Sequence, residues 1–153
     1  MKKISIYFIS LLLILFLFEL FNGFWFRSPL EKNLLNFNAL YSADIKINPN
    51  DYYPSDYDIS YSRNAYGLRV NCQNPKSINL VTIGGSTTDQ RYIDIENTFS
   101  YILQEEITRN IGTDFCVANA GVDGHNLLNH INSLESWFPL IPSFNPNYYL
   151  LNI

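Results

Sequence analysis

Ile78-Asn-Leu-Val-Thr-Ile83, followed at once by Gly84-Gly85-Ser86-Thr87-Thr88-Asp89, is the stretch on which the fold turns. A short run rich in β-branched and aliphatic side chains suits a strand buried on both faces, and the Gly-Gly pair ends it abruptly. Downstream, Phe99, Ile102, Leu103, Ile107 and Ile111 recur at helical spacing, with Asn97 available as a cap and Gly112 as the stop. Asp114 to Ala118 reads as a second buried strand, ending at Asn119-Ala120-Gly121. Leu127, Leu128, Ile131, Leu134 and Phe138 form another amphipathic helical pattern, which Pro139 terminates. Tyr148-Tyr-Leu-Leu-Asn-Ile153, introduced by Pro146, opens a third strand. Strand, helix, strand, helix, strand at these lengths predicts an α/β fold built from βαβ units around a parallel sheet. Right-handed crossovers would set helices on both sheet faces.

Upstream of this core the rhythm differs. Residues 27–76 read as a polar, Tyr-rich approach segment punctuated by Pro29, Pro49, Pro54 and Pro75. Tyr57-Asp-Ile-Ser-Tyr61 alternates with period two and predicts a short strand. Asn64-Ala-Tyr-Gly67 follows as a turn in which Gly67 supplies the positive φ. Before residue 27, Met1-Lys2-Lys3 precedes a largely apolar run over residues 4–26, in which Glu19 is the one charge. At about 1.5 Å per residue such a helix spans roughly 30 Å, enough for the hydrocarbon core. Lysines before the run predict a cytoplasmic tip at residues 1–3, and Phe24-Trp25-Phe26 suits the aromatic belt at the far interface. A cleaved signal peptide is the rival, but its apolar region is shorter, and here Arg27-Ser28-Pro29 follows in place of a small-x-small site. The expectation is a single-pass signal-anchor with the domain periplasmic or otherwise extracytoplasmic. A net charge of -4 leaves no basic footprint for nucleic acid. Cys72 and Cys116 fit neither a metal cluster nor a disulfide framework, and Cys116, inside Phe115-Cys-Val-Ala118, reads as a small buried side chain.

Active sites of open parallel sheets form beyond the carboxyl ends of the strands. Two polar motifs fall there: Gly84-Gly-Ser-Thr-Thr-Asp89, and Asn119-Ala-Gly-Val-Asp-Gly-His125. A serine just past a Gly-Gly turn, at the mouth of a helix, exposes its hydroxyl beside N–H groups that favour a developing oxyanion. Gly121 offers a second N–H with no side chain in the way. The alternative is a capped strand–helix turn, or a cradle for phosphate, although no Walker lysine and no Gly-x-Gly-x-x-Gly accompanies it.

Ile83-Gly-Gly-Ser-Thr-Thr-Asp89 resembles the first sequence block of the SGNH (GDSL-like) hydrolases, and Val117-Ala-Asn-Ala-Gly-Val-Asp-Gly124 resembles the second. Pro146-Asn-Tyr-Tyr-Leu-Leu-Asn-Ile153 looks like the strand leading into the third block, Gly-x-Asn-Asp, and Asn64-Ala-Tyr-Gly-Leu-Arg69 resembles a segment that precedes the domain in one membrane-anchored subgroup. The resemblance covers residues 55–153. It implies a flavodoxin-like three-layer α/β sandwich, the SGNH hydrolase fold, with sheet order 2-1-3-4-5, incomplete at the C-terminus; the apolar run puts one transmembrane helix before it. It further implies an esterase or acyl-transfer hydrolase in which Ser86 is the nucleophile and an oxyanion donor, and Gly121 lends the second N–H. No cofactor or metal is implied; the partner is an acyl-ester substrate, an acylated cell-surface glycan being one that the location suggests.

The departures weigh on activity. Gly85 stands where the Gly-Asp-Ser-Leu motif has aspartate, and neither the third-block asparagine nor the Asp-x-x-His that supplies the base occurs in residues 1–153. A serine without a base is a weak nucleophile. His125 is a poor substitute, because a helix N-terminus disfavours its protonated form, and His130, five residues on, reads as solvated. Asp89 and Asp123 border the mouth and read as helix caps; Arg69 reads as a structural hydrogen-bond donor more readily than as a substrate-steering charge. Residues 77–153 are thus expected to be the N-terminal part of a hydrolase domain, truncated and inactive alone. The competing expectation is a non-catalytic, membrane-anchored binding module or a degenerate remnant of the same fold.

Overall fold

The computed structural model describes residues 2–23, 26–40, 43–47, 57–72 and 74–152. Phe24, Trp25, Pro49, Pro54 and Ile153, which entered the expectations above, lie outside them. Helix α1 (Lys2–Asn22) is followed by α2 (Pro29–Asn36), whose start is set by a capping box: the Ser28 hydroxyl accepts the Glu31 N–H, and the Glu31 carboxylate accepts the Ser28 N–H. Backbone strands β1 (Ala43–Ile47) and β2 (Tyr57–Tyr61) pair antiparallel. The side chains described along α1 are those of residues 7–20, a length of about 21 Å. Among the described residues no helix is long and apolar enough to cross a membrane.

Strand β3 (Ile78–Gly84) is the middle of a three-stranded parallel sheet, between β4 (Cys116–Asn119) and β5 (Tyr148–Asn152). The fold is therefore α/β with a parallel sheet, in the spatial order expected for its first three strands. The short helix α3 (Ser86–Asp89) leaves β3, and α4 (Phe99–Ile111) crosses to β4. The cap of α4 is Thr98, whose hydroxyl accepts the Tyr101 N–H, one residue beyond the expected Asn97; Gly112 closes the helix at φ +67° as expected.

The second crossover departs from its sequence pattern. Helix α5 (Leu127–Asn132) runs into a π-helical turn over Ser133–Trp137 and a 3₁₀ turn over Phe138–Leu140. Leu127, Leu128, Ile131 and Leu134 stay exposed, while His130, Ser133, Trp137 and Phe138 are buried. Trp137 decides this. Its indole is fully enclosed, donates to the Tyr66 carbonyl at 2.8 Å, and stacks on Phe37 and against Phe138. Satisfying that large ring and its N–H rotates the helix away from the face its leucines mark. Strand β5 lies at the sheet edge with Tyr148, Tyr149, Leu150 and Leu151 all exposed.

The approach segment is not a spacer. Leu34, Ala39 and Leu68 belong to the same apolar core as Val81, Ile83, Ala118 and Trp137. Gly67, at φ +79°, turns the chain where a Cβ would meet Leu34 and Trp137. Arg69 pairs through its backbone with Asn119, so the segment runs antiparallel along the free edge of β4. Three residues on from Arg69, in the same register, Cys72 forms a disulfide with Cys116, three residues back from Asn119. This corrects the expectation of two unpaired cysteines. The pairing joins residues 44 apart in sequence, and only the tertiary register brings them to a Cα–Cα distance of 6.3 Å.

Candidate functional site

Ser86 is exposed, at the carboxyl end of the central strand, immediately after Gly84 and the helix-capping Gly85. It lines a cleft of about 420 Å³ with Thr87, Asp89, Gln90, Arg91, Tyr92, Ile93 and Asp123. A hollow of about 490 Å³ lies beside Cys72 and Cys116. Ser77 and Cys116 put that hollow at the amino ends of β3 and β4, the wrong end of a parallel sheet for chemistry. Ser86 and Thr87 open α3, so their N–H groups have no carbonyl one turn back within the helix. With four residues, α3 adds little dipole field of its own, less than the sequence suggested.

Such a short helix cannot hold itself, and its carbonyls are tied by long-range side chains. Asn119 donates from Nδ2 to the Thr88 carbonyl, while Arg69 donates to the carbonyls of Asp89, Gln90 (3.0 Å) and Ile93 (2.9 Å). Arg69 is buried, with its guanidinium 4.7 Å from the Tyr61 ring centroid. Burial lowers its pKa, and the neighbouring Tyr61 and Asp89 act in the opposite direction. Its role is structural, as the sequence favoured, but it serves the Ser86 loop. Asn152, at the end of β5, donates to the Thr88 hydroxyl at 3.1 Å. Asparagines at the carboxyl ends of both outer strands thus grip one threonine of α3.

Asp89 is not a helix cap. Its carboxylate is fully buried: Oδ1 accepts from the Tyr61 hydroxyl at 2.7 Å and from Arg63 Nη2 at 2.8 Å, and Oδ2 lies 3.6 Å from Arg91 Nη2. Burial is the main cause that pushes the Tyr61 phenol up to about 12, so at neutral pH it stays a donor to Asp89. Asp123, half exposed, faces Arg91 at 3.5 Å, and the helix that follows is capped by Asn126 instead. Neither Tyr61 nor Arg63 was singled out from the sequence; a buried cluster assembled from β2, the following turn and the end of α3 leaves no local pattern.

Gly121 is buried two residues past the end of β4, and its N–H donates to Asn119 Oδ1 at 2.8 Å. An oxyanion would have to displace that asparagine. The absence of a side chain here has a second cause, since a Cβ would fall 2.4 Å from the Asp89 nitrogen and 2.7 Å from the Thr88 carbonyl carbon. His125 bonds through Nε2 to the Phe37 carbonyl at 3.1 Å and sits edge-on to the Phe37 ring, so it serves the α2 contact and not Ser86. His130 is buried, against the solvated position expected for it, and neither of its ring nitrogens has a hydrogen-bond partner among the described residues. Its own helix explains this: with Trp137 turned inward, position 130 falls on the covered face. Among the described residues no three His, Cys, Asp or Glu side chains converge as a metal centre requires.

Burial lowers the pKa of His125, followed by the opposing effect of the Phe37 carbonyl and the repulsion of His130 and Arg63. A depressed folded-state pKa means that the unfolded chain binds the proton more readily. Stability is therefore full above the ordinary value of 6.5 and declines as pH falls from there toward the lower folded value. Urea midpoints followed from about pH 7.5 to about pH 5 should fall more steeply for the native chain than for His125→Asn, which keeps a donor for the Phe37 carbonyl. Parallel profiles for the two proteins would remove His125 as the cause.

The class defined by this fold and cleft is an α/β protein with an exposed serine at the carboxyl end of its central parallel strand. Compared with known proteins, the chain matches no family model, no curated protein and no solved structure.

Proposed function

We propose that this chain carries the nucleophile portion of an SGNH-type serine ester hydrolase, held outside the cytoplasm by its N-terminal helix. The observation that carries the reading is Ser86: exposed, preceded by two glycines, and opening a helix at the carboxyl end of the middle strand. Acyl transfer needs an accessible serine beside unpaired N–H groups, and Ser86 lines an open cleft at the first turn of α3. Gly121, on the neighbouring strand end, is the second oxyanion donor once Asn119 releases its N–H. His125, the substitute base the sequence offered, is turned to the Phe37 carbonyl and away from that task. The third-block asparagine and Asp-x-x-His of the family would have to complete the site.

Two features support the extracytoplasmic placement. A Cys72–Cys116 disulfide is the chemistry of an oxidising compartment. Helix α1, at 21 residues, is about 32 Å long, and the apolar side chains described along it are exposed. An acylated cell-surface glycan fits that placement as a substrate. The second reading, a non-catalytic binding module, draws on the occupied Gly121 N–H.

Fluorophosphonate labelling separates the two. In a polypeptide joining residues 1–153 to the family's third and last blocks, Ser86 should be phosphonylated. Ser86→Ala should abolish labelling and lower esterase turnover by on the order of a thousandfold or more. Labelling that survives Ser86→Ala would discard the nucleophile assignment, and an unlabelled parent would favour the binding module.

A further inference from the structure

We infer that Arg63 is a positioning residue of the cleft: it locks the loop that bears Ser86 to the loop that bears Gly121. Residues 57–72 thereby become part of the site. The chemical consequence rests on reading Ser86 as a nucleophile; the locking itself does not. Arg63 reaches four acceptors. Its Nε donates to the Tyr61 hydroxyl at 2.7 Å, Nη1 to the Gly67 carbonyl at 2.6 Å, and Nη2 both to Asp89 Oδ1 at 2.8 Å and to the Gly121 carbonyl. One planar guanidinium thus joins the end of α3, the segment after β4, and the turn of the approach segment. A lysine, with a single charged atom, cannot span those acceptors together.

The environment makes the lock stiff. The side chains of Arg63 and Asp89 are 1% and 0% exposed, so water cannot replace either partner. The Tyr61 hydroxyl bridges the pair by accepting from Arg63 and donating to Asp89. Across the gap that Arg63 spans, the backbone of Gly121 is close enough to α3 that even a methyl group would overlap it. Ser86 and Gly121 sit on separate crossover loops, and an oxyanion held by both requires their relative position to be fixed within a fraction of an ångström. A buried arginine bonded to both loops supplies that constraint.

A residue that only stabilised the fold would, on substitution, quicken hydrogen exchange at all amides through global unfolding. A positioning residue frees the two loops selectively. In the full chain in detergent micelles, Arg63→Lys should quicken exchange about tenfold at Gln90, bonded to the Ser86 carbonyl, and at Val122, bonded to the Gly84 carbonyl. Ile102, in α4, should keep its protection. Should Arg63→Lys fail to fold, Tyr61→Phe, which removes the bridging hydroxyl and keeps the ring, carries the same comparison. Uniform quickening, or protection unchanged at both loops, overturns the inference. In the extended polypeptide, phosphonylation of Ser86 should slow about tenfold in Arg63→Lys, with the probe concentration for half-saturation unchanged. If the parent is never labelled, the hydrolase reading fails, and the exchange pattern still decides whether Arg63 locks the loops.

Discussion

Removing the Cys72–Cys116 disulfide, by Cys72→Ala with Cys116→Ala, should lower the folding free energy by about 4 kcal/mol, the chain-entropy value for a closed loop of this length. Against a typical domain stability of about 5–15 kcal/mol, that is a large fraction. The location argues for the full effect. The bridge lies three residues along from the antiparallel Arg69–Asn119 bridge, so it is a second tie between the approach segment and the edge of β4. Without it, the segment carrying Arg63 and Arg69 is tethered only by its own contacts. The loosening should spread to the carbonyls of residues 89, 90 and 93, which Arg69 holds. Urea titrations of the oxidised chain and the double variant, with a common slope, measure the difference. A change below about 1 kcal/mol would mean that the register survives unaided.

Gly121→Ala should be severely destabilising for one methyl group. The added Cβ would lie 2.4 Å from the Asp89 nitrogen and 2.7 Å from two atoms of Thr88. Most of what it meets is the backbone of α3, which cannot rotate aside, and α3 is pinned from behind by Asn119 and Arg69. Overpacking of a rigid site costs about 1–3 kcal/mol, and this contact belongs at or above the upper end. Gly124→Ala provides the contrast: its φ of +80° strains any L side chain, but nothing lies within 4 Å. Its cost is the local penalty alone, about 1–2 kcal/mol. Thermal unfolding of the two variants should therefore rank Gly121→Ala clearly below Gly124→Ala. The reverse order would show that α3 yields easily, and the grip of Asn119 and Arg69 would then count for little.

These two effects have no local signature, which marks where sequence reasoning stops. Strand β3, the turn at Gly67, the stop at Gly112 and the succession of strands and helices were legible because each depends on residues within one or two turns of one another. A β-branched run, a positive-φ glycine and helical spacing act through backbone sterics and a nearby solvent boundary. The exposed position of Ser86 after Gly84-Gly85 belongs with them, being a property of the strand end.

What the chain does with its polar interior was decided by tertiary structure. Asp89 looked like a helix cap because capping is the commonest role of an aspartate beside a short helix. It became a buried anion because β2 and the following turn, 26 to 28 residues earlier, bring Arg63 and Tyr61 onto it. His130 looked solvated because its helix was read from its leucines; Trp137, needing full enclosure and a carbonyl for its N–H, turned the other face inward. Cys72 and Cys116 looked unrelated until the antiparallel register beside β4 set them opposite each other. By itself the sequence determined the order of elements and the strand end where a nucleophile can stand, since those follow from local geometry and periodicity. Burial of charge, helix facing and covalent pairing were settled only by tertiary structure, because their free energies depend on partners dozens of residues away.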